Sequence, residues 1–152
     1  MSDARAGDSE AWFAPHMDVC GRIIHAFRSA RARVDVCVFT VTDDRITRAI
    51  LDAHRRGVKI RVVSDDDKSG DLGSDIERLA EAGVSVRIDR TPVHMHHKFA
   101  IFDGDMLMTG SYNWTRSAND ENHENLLVTF DPALVAAYTK ELERVWSQAM
   151  PV

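Results

Sequence analysis

His96-His97-Lys98-Phe99, followed by Gly110-Ser111-Tyr112-Asn113, puts imidazoles, a fixed cation, a hydroxyl and an amide into one short stretch. Groups of these types can attack a phosphodiester. Such a diester is anionic and repels ordinary nucleophiles, and a neutral imidazole that takes the phosphoryl group covalently divides one difficult displacement into two easier ones. His96 is the candidate nucleophile. Lys98 and the side-chain amide of Asn113 are suited to neutralise the nonbridging oxygens as charge builds in the transition state. Ser111 offers a further hydrogen bond. Trp114 and Arg116 follow directly, an indole that can stack on a base or equally fill the core, and a guanidinium that can meet a phosphate.

Phe99, Ile101 and Phe102 make the first segment read as a strand, whose side chains alternate with period two. His96 and Lys98 then project from one face about 7 Å apart along the chain. His97 points the other way. His94 shares the face of His96 and is a candidate substrate contact, although a histidine on a strand is also an ordinary surface or core residue. Asp103-Gly104 is a two-residue hairpin signal, so a return strand through Met106, Leu107 and Met108 delivers Gly110 to Asn113 beside the first strand. Asp103 has the wrong parity to share the face of His96 and is expected to be structural, at the turn. Imidazoles at i and i+2 can chelate a transition metal, but Lys98 would repel one, and no metal site is assigned.

The elements that must position these residues follow from apolar periodicity. Val19, Ile23, Ile24 and Phe27 predict a helix from about Pro15 to Ala32, followed by a buried strand Val34 to Val41. Thr42 or Asp43 can cap a helix through Ile46, Ile50 and Leu51 that stops at Gly57, and Val58 to Val63 returns as a strand. Ser74 to Ala82 and Val84 to Ile88 repeat the pattern. A last strand, Asn125 to Phe130, and a helix Pro132 to Ala149 with proline in its first turn complete the chain. Alternation of this kind predicts an α/β helix-sheet-helix sandwich on a mixed, largely parallel sheet. With 152 residues, 44% of them hydrophobic, the chain can bury one substantial core. Residues 1–10 are expected to be a flexible segment and 11–150 a single domain. Cys20 and Cys37 read as buried thiols.

His96-x-Lys98-x-x-x-x-Asp103, then Gly110-Ser111-x-Asn113, then Glu124-Asn125 before an apolar strand, resembles the phospholipase D superfamily. The likeness is to its small members with one motif per chain, the bacterial endonucleases and the Zucchini-type nucleases also described as mitochondrial cardiolipin hydrolases. It runs roughly from Phe13 to Trp146 and takes in Thr42-Asp43-Asp44 and Arg56-Gly57-Val58-Lys59. The resemblance implies the superfamily's sandwich fold and phosphodiester hydrolysis with no metal or other cofactor. It also implies that Glu124 accepts from the second ring nitrogen of His96 and fixes its tautomer. Displacement at phosphorus needs a nucleophile on one side and an acid on the other, and the family's solution is two motifs facing each other across a two-fold axis. A one-motif chain is then expected to be a homodimer.

Substrate is less sharply marked. The net charge of −5 is not the basic footprint of a typical nucleic-acid binder. Two copies of Lys98 with Arg116 could still line a positive slot, and the small relatives favour a nuclease acting on DNA or RNA. A phospholipid is the alternative substrate, and a non-catalytic phosphate-binding scaffold a third class. No run of about 18 apolar residues is present, so no membrane span is expected. The acidic amino-terminal residues suggest a cytoplasmic location. Asp65 to Asp71 resembles a calcium loop, but its terminal acid is out of register at Glu77; it reads better as a polar rim of the site.

Overall fold

The structure, a computed structural model, describes residues 6–65 and 75–152. Eight strands form one sheet: β1 (Ser9–Ala14), β2 (Arg33–Val38), β3 (Lys59–Asp65), β4 (Ser85–Asp89), β5 (Lys98–Phe102), β6 (Met106–Gly110), β7 (Glu124–Thr129) and β8 (Met150–Pro151). Their spatial order is β1-β7-β6-β5-β2-β3-β4-β8. Helices α1 (Val19–Ser29), α2 (Asp44–Arg55), α3 (Ile76–Glu81), α4 (Arg116–Asp120) and α5 (Pro132–Gln148) supply the remaining regular structure.

The sandwich is the expected one, with a core on each face of the sheet. Phe27 of α1, Ile46 and Ile50 of α2 and Leu79 of α3 pack over Val34, Val36, Val62, Ala100 and Phe102. On the opposite face Val135, Leu142 and Val145 of α5 cover Cys37, Val63, Phe99, Ile101 and Leu107. The period-two alternation of β5 therefore divides its side chains between the two cores. Cys20 and Cys37 are buried free thiols in different cores.

The strand directions differ from expectation. Only β2–β3 and β3–β4 are parallel, and the other five pairings among the described residues are antiparallel. The parallel pairs are those with a crossover helix, α2 or α3, between them, and β5–β6 is antiparallel because a tight turn joins the two strands. The other antiparallel pairs arise from strands brought together over longer connections. Strand β1 is the other departure. It takes Ser9 and Glu10 out of the segment expected to be flexible and pairs Ser9 to Ala14 with Thr129 to Glu124. An edge strand with mostly exposed side chains leaves little periodic signal.

Two local features set the register of the motif. The β5–β6 turn places Asp103 at φ 53° and Gly104 at φ 70°, the left-handed pair of a type I′ turn closed by the Asp105 N–H on the Phe102 carbonyl. Phe102 pairs with Met106, so the loop is one residue longer than the two-residue hairpin expected. Asp103 Oδ1 accepts from the backbone N–H groups of Ala32 at 2.8 Å and Arg33 at 3.1 Å, and Oδ2 from that of Arg31 at 3.0 Å. Burial alone would raise its carboxyl pKa, but these backbone donors outweigh it and hold the pKa below the usual value. Asp103 thus ties the motif hairpin to the start of β2, the structural task that its parity suggested.

Candidate active site

His96 lies two residues before β5, and Lys98 opens it. The two side chains meet as alternation requires: Lys98 Nζ is 3.0 Å from His96 Nδ1 and donates to the His96 carbonyl at 2.7 Å. His97 points to the opposite face, where its Nε2 lies 2.6 Å from Glu141 of α5. Phe39, just past β2, forms a platform for the group. Its ring centroid is 4.5 Å from that of His96 and 6.0 Å from that of His94, and Lys98 Nζ sits 5.6 Å above it. Burial first, then the charge of Lys98, lowers the pKa of His96 below 6.5, which favours a neutral imidazole. Burial also lowers the pKa of Lys98, against the opposing charge of Glu124.

Strands β6 and β7 bring the other motif residues to the same end of the sheet. Ser111 Oγ donates to Glu124 Oε1 at 2.6 Å and accepts from the Asn125 backbone at 3.0 Å. The second carboxylate oxygen of Glu124 accepts from Asn122 at 3.2 Å. Among the described residues Glu124 therefore orients Ser111, and Nδ1 of His96 faces Lys98 instead of a carboxylate. Asn113 is half-buried, and its Oδ1 is buried with no hydrogen-bond partner among the described residues. Gly110 pairs with Leu126, where β6 runs close against β7. A Cβ there would stand 2.1 Å from the Asn125 carbonyl oxygen and 2.8 Å from Asn125 Oδ1. Gly110→Ala is accordingly expected to push the strands apart and to destabilise by about 1–3 kcal/mol, read as a lowered Tm, with Ser111 displaced from Glu124. An unchanged Tm would mean that the strand yields freely.

Trp114 corrects the sequence reading. It is 2% exposed, in edge contact with Phe27 at 5.8 Å, and belongs to the larger core. It cannot offer a face to a base. Its carbonyl accepts from the backbone N–H groups of Thr42 and Asp43, both at 3.0 Å, so it pins the Gly110–Thr115 turn to the start of α2. Alternating polarity carries no hint of this, since an indole after a turn suits either environment. Arg116, first in α4, is exposed.

Sequence reasoning missed Phe39 and misread Asp65. Asp65 is buried, accepts from the Met95 N–H at 2.6 Å and stands 3.5 Å from His94 Nδ1. It fixes the segment that carries His94 to His96. Both residues sit at the carboxyl ends of parallel strands, where open α/β sheets place ligand-contacting groups, and that was the available signal. The remainder of the expected acidic rim, residues 66–71, lies outside the described residues.

A family model described as "Cardiolipin synthase, PLD-like domain" matches residues 23–146. The chain belongs to the phospholipase D-like family. Mitochondrial cardiolipin hydrolase of Chlamydomonas reinhardtii is 45% identical over 125 residues, covering 82% of this chain and 56% of that protein. Those of Xenopus laevis and Homo sapiens are each 44% identical over 138 residues, covering 90% of this chain and 66% and 55% of theirs. This phospholipase D-like chain therefore spans less than two thirds of the length of these relatives. Among solved structures, Nuc from Salmonella typhimurium, a phospholipase D family member, superposes with a TM-score of 0.89 at 25% identity, covering 96% of this chain and 98% of that one. NucT from Helicobacter pylori shares the fold, with a TM-score of 0.88 at 22% identity over 96% and 99% of the two chains.

The names of the curated relatives point to the mitochondrion and overturn the cytoplasmic location expected from the amino-terminal residues. That expectation rested on the acidity of ten residues, and local composition does not report where a folded domain is held. Among the described residues no helix is long and apolar enough to cross a membrane.

Proposed function

We propose that this phospholipase D-like chain is a metal-independent phosphodiester hydrolase that cleaves nucleic-acid strands through a covalent phosphohistidine. The observation that carries the reading is the His96–Lys98 pair on the Phe39 platform, beside Ser111, Asn113 and Glu124. A bound phosphate draws Lys98 onto its nonbridging oxygens and releases Nδ1 of His96. The imidazole attacks phosphorus, the bond to the leaving oxygen breaks, and that oxygen takes a proton. Water then attacks the phosphohistidine and restores the imidazole. The Nδ2 amide of Asn113 donates to the nonbridging oxygens as charge builds, and the Ser111 hydroxyl joins it on turning from Glu124.

The proton for the leaving oxygen comes from the far side of phosphorus, which one copy of His96 cannot reach. We assign it to His96 of a second chain across a two-fold axis, so that each site takes one His96 and one Lys98 from each protomer. Nucleic acid is favoured by the cavity beside His96 and Lys98. Its other walls are His97, Thr109, Gly110, Ala137, Tyr138 and Glu141, whose imidazole, hydroxyl and carboxylate groups can hydrogen-bond a sugar while the Tyr138 ring meets its apolar face. A phospholipid is the second reading, favoured by the names of the relatives.

Purified protein given single- and double-stranded DNA, RNA and cardiolipin vesicles separates the two. Strand cleavage that survives excess EDTA is expected. Complete loss with chelator, restored by one divalent ion, would contradict the mechanism, and hydrolysis of the lipid alone would decide for the second reading.

A further inference from the structure

Two cavities open on either side of His97, between the sheet and α5. One, of about 330 Å³, is walled by His96 and Lys98 and closed by Thr109 and Tyr138. The other, of about 400 Å³, extends from His94 and His96 past Arg144. His96, His97 and Glu141 line both. His97 is therefore the partition of one groove that passes the nucleophile. The partition is rigidly held. Glu141 accepts from His97 Nε2 at 2.6 Å and from Nε and Nη2 of Arg144, each at 2.7 Å. The Arg144 bond lowers its pKa most, burial opposes, the His97 bond adds to the lowering, and the pKa settles at about 2. Glu141 is thus ionised at neutral pH and can only accept, so His97 is the donor. The ring is anchored through one nitrogen, and its Nδ1 is left to a ligand.

An imidazole fixed on the face opposite to His96 has no direct task at phosphorus. What it can touch is the group attached to the phosphate. Resting on the reading of the chain as a strand-cleaving phosphodiesterase, we propose that this groove binds the two nucleotides that flank the scissile phosphate. Each cavity is near the lower end of small-ligand sites, about 300–1,000 Å³, which suits one nucleotide. Tyr138 stands edge-on to Phe99 at 5.0 Å and is half-buried, so its ring is pre-set for a sugar or base in the first chamber. Arg144, whose side chain is 57% exposed, stands at the second, where the next phosphate of the strand passes.

The test compares a single-stranded oligonucleotide with bis(4-nitrophenyl) phosphate, which carries the diester but no nucleotide. In His97→Ala and Tyr138→Leu, the ratio of kcat/KM for the oligonucleotide to that for the small diester should fall about tenfold, the loss of one hydrogen bond or one stacking contact. The fall should lie in KM. His97 is partly exposed, so its variant keeps the test open if Tyr138→Leu fails to fold. An unchanged ratio, or an equal loss on both substrates, would overturn the groove. Wild-type protein that hydrolyses the small diester and leaves every oligonucleotide intact would overturn the nucleic-acid reading on which it rests.

Discussion

His96→Ala and His96→Asn should each lower kcat on any phosphodiester by at least about a thousandfold, because no other group takes over a lost covalent step. The fold should be untouched. His96 is exposed, and its contacts are Lys98 and the Phe39 ring, so the change in stability belongs with surface substitutions, within about 0.5 kcal/mol. Thermal unfolding alongside turnover of a small diester separates the two effects. His97→Ala on that substrate should be far milder, since its ring faces α5 and Glu141. A His96 variant that retains a tenth of wild-type turnover would move the nucleophile elsewhere, with His94 the first alternative on the same platform.

A second large effect follows from in-line geometry. If one His96 attacks and its partner's copy protonates the leaving oxygen, a dimer with one His96→Asn chain has a nucleophile without an acid and is inert. Chains exchanged to equilibrium in equal amounts leave roughly a quarter of all dimers fully wild type. Activity per total protein should therefore fall to about that fraction of the pure wild-type value. A fall only to one half would mean that each chain works alone, as would full activity in dilute protein shown by sedimentation to be monomeric.

The parts of the fold governed by strict periodicity were legible. Ile46 and Ile50 mark α2, Pro132 opens α5, and Asp103-Gly104 turns the motif hairpin where the sequence places it. So were the shared face of His96 and Lys98 and the opposite orientation of His97, since alternation along a strand is dictated by backbone geometry alone. What escaped depends on contacts between distant segments. Strand β1 has no apolar repeat and is held by its pairing with β7. The antiparallel majority follows from which strands become neighbours, which local pattern does not encode. Phe39 is about 60 residues from the motif and joins the site only because β2 pairs with β5. Glu124 was placed beside His96 by resemblance, whereas the register of β6 and β7 sets its carboxylate against Ser111.

The central claim is that phosphorus is carried on His96 during turnover. Reacting the protein with a diester labelled at phosphorus, quenching in alkali to preserve the phosphoramidate bond, and mapping the labelled peptide reads this directly. The label should sit on the His96 imidazole, be absent from His96→Asn protein, and disappear as product forms. Label on His94, or full turnover with no labelled histidine at any time, would contradict it.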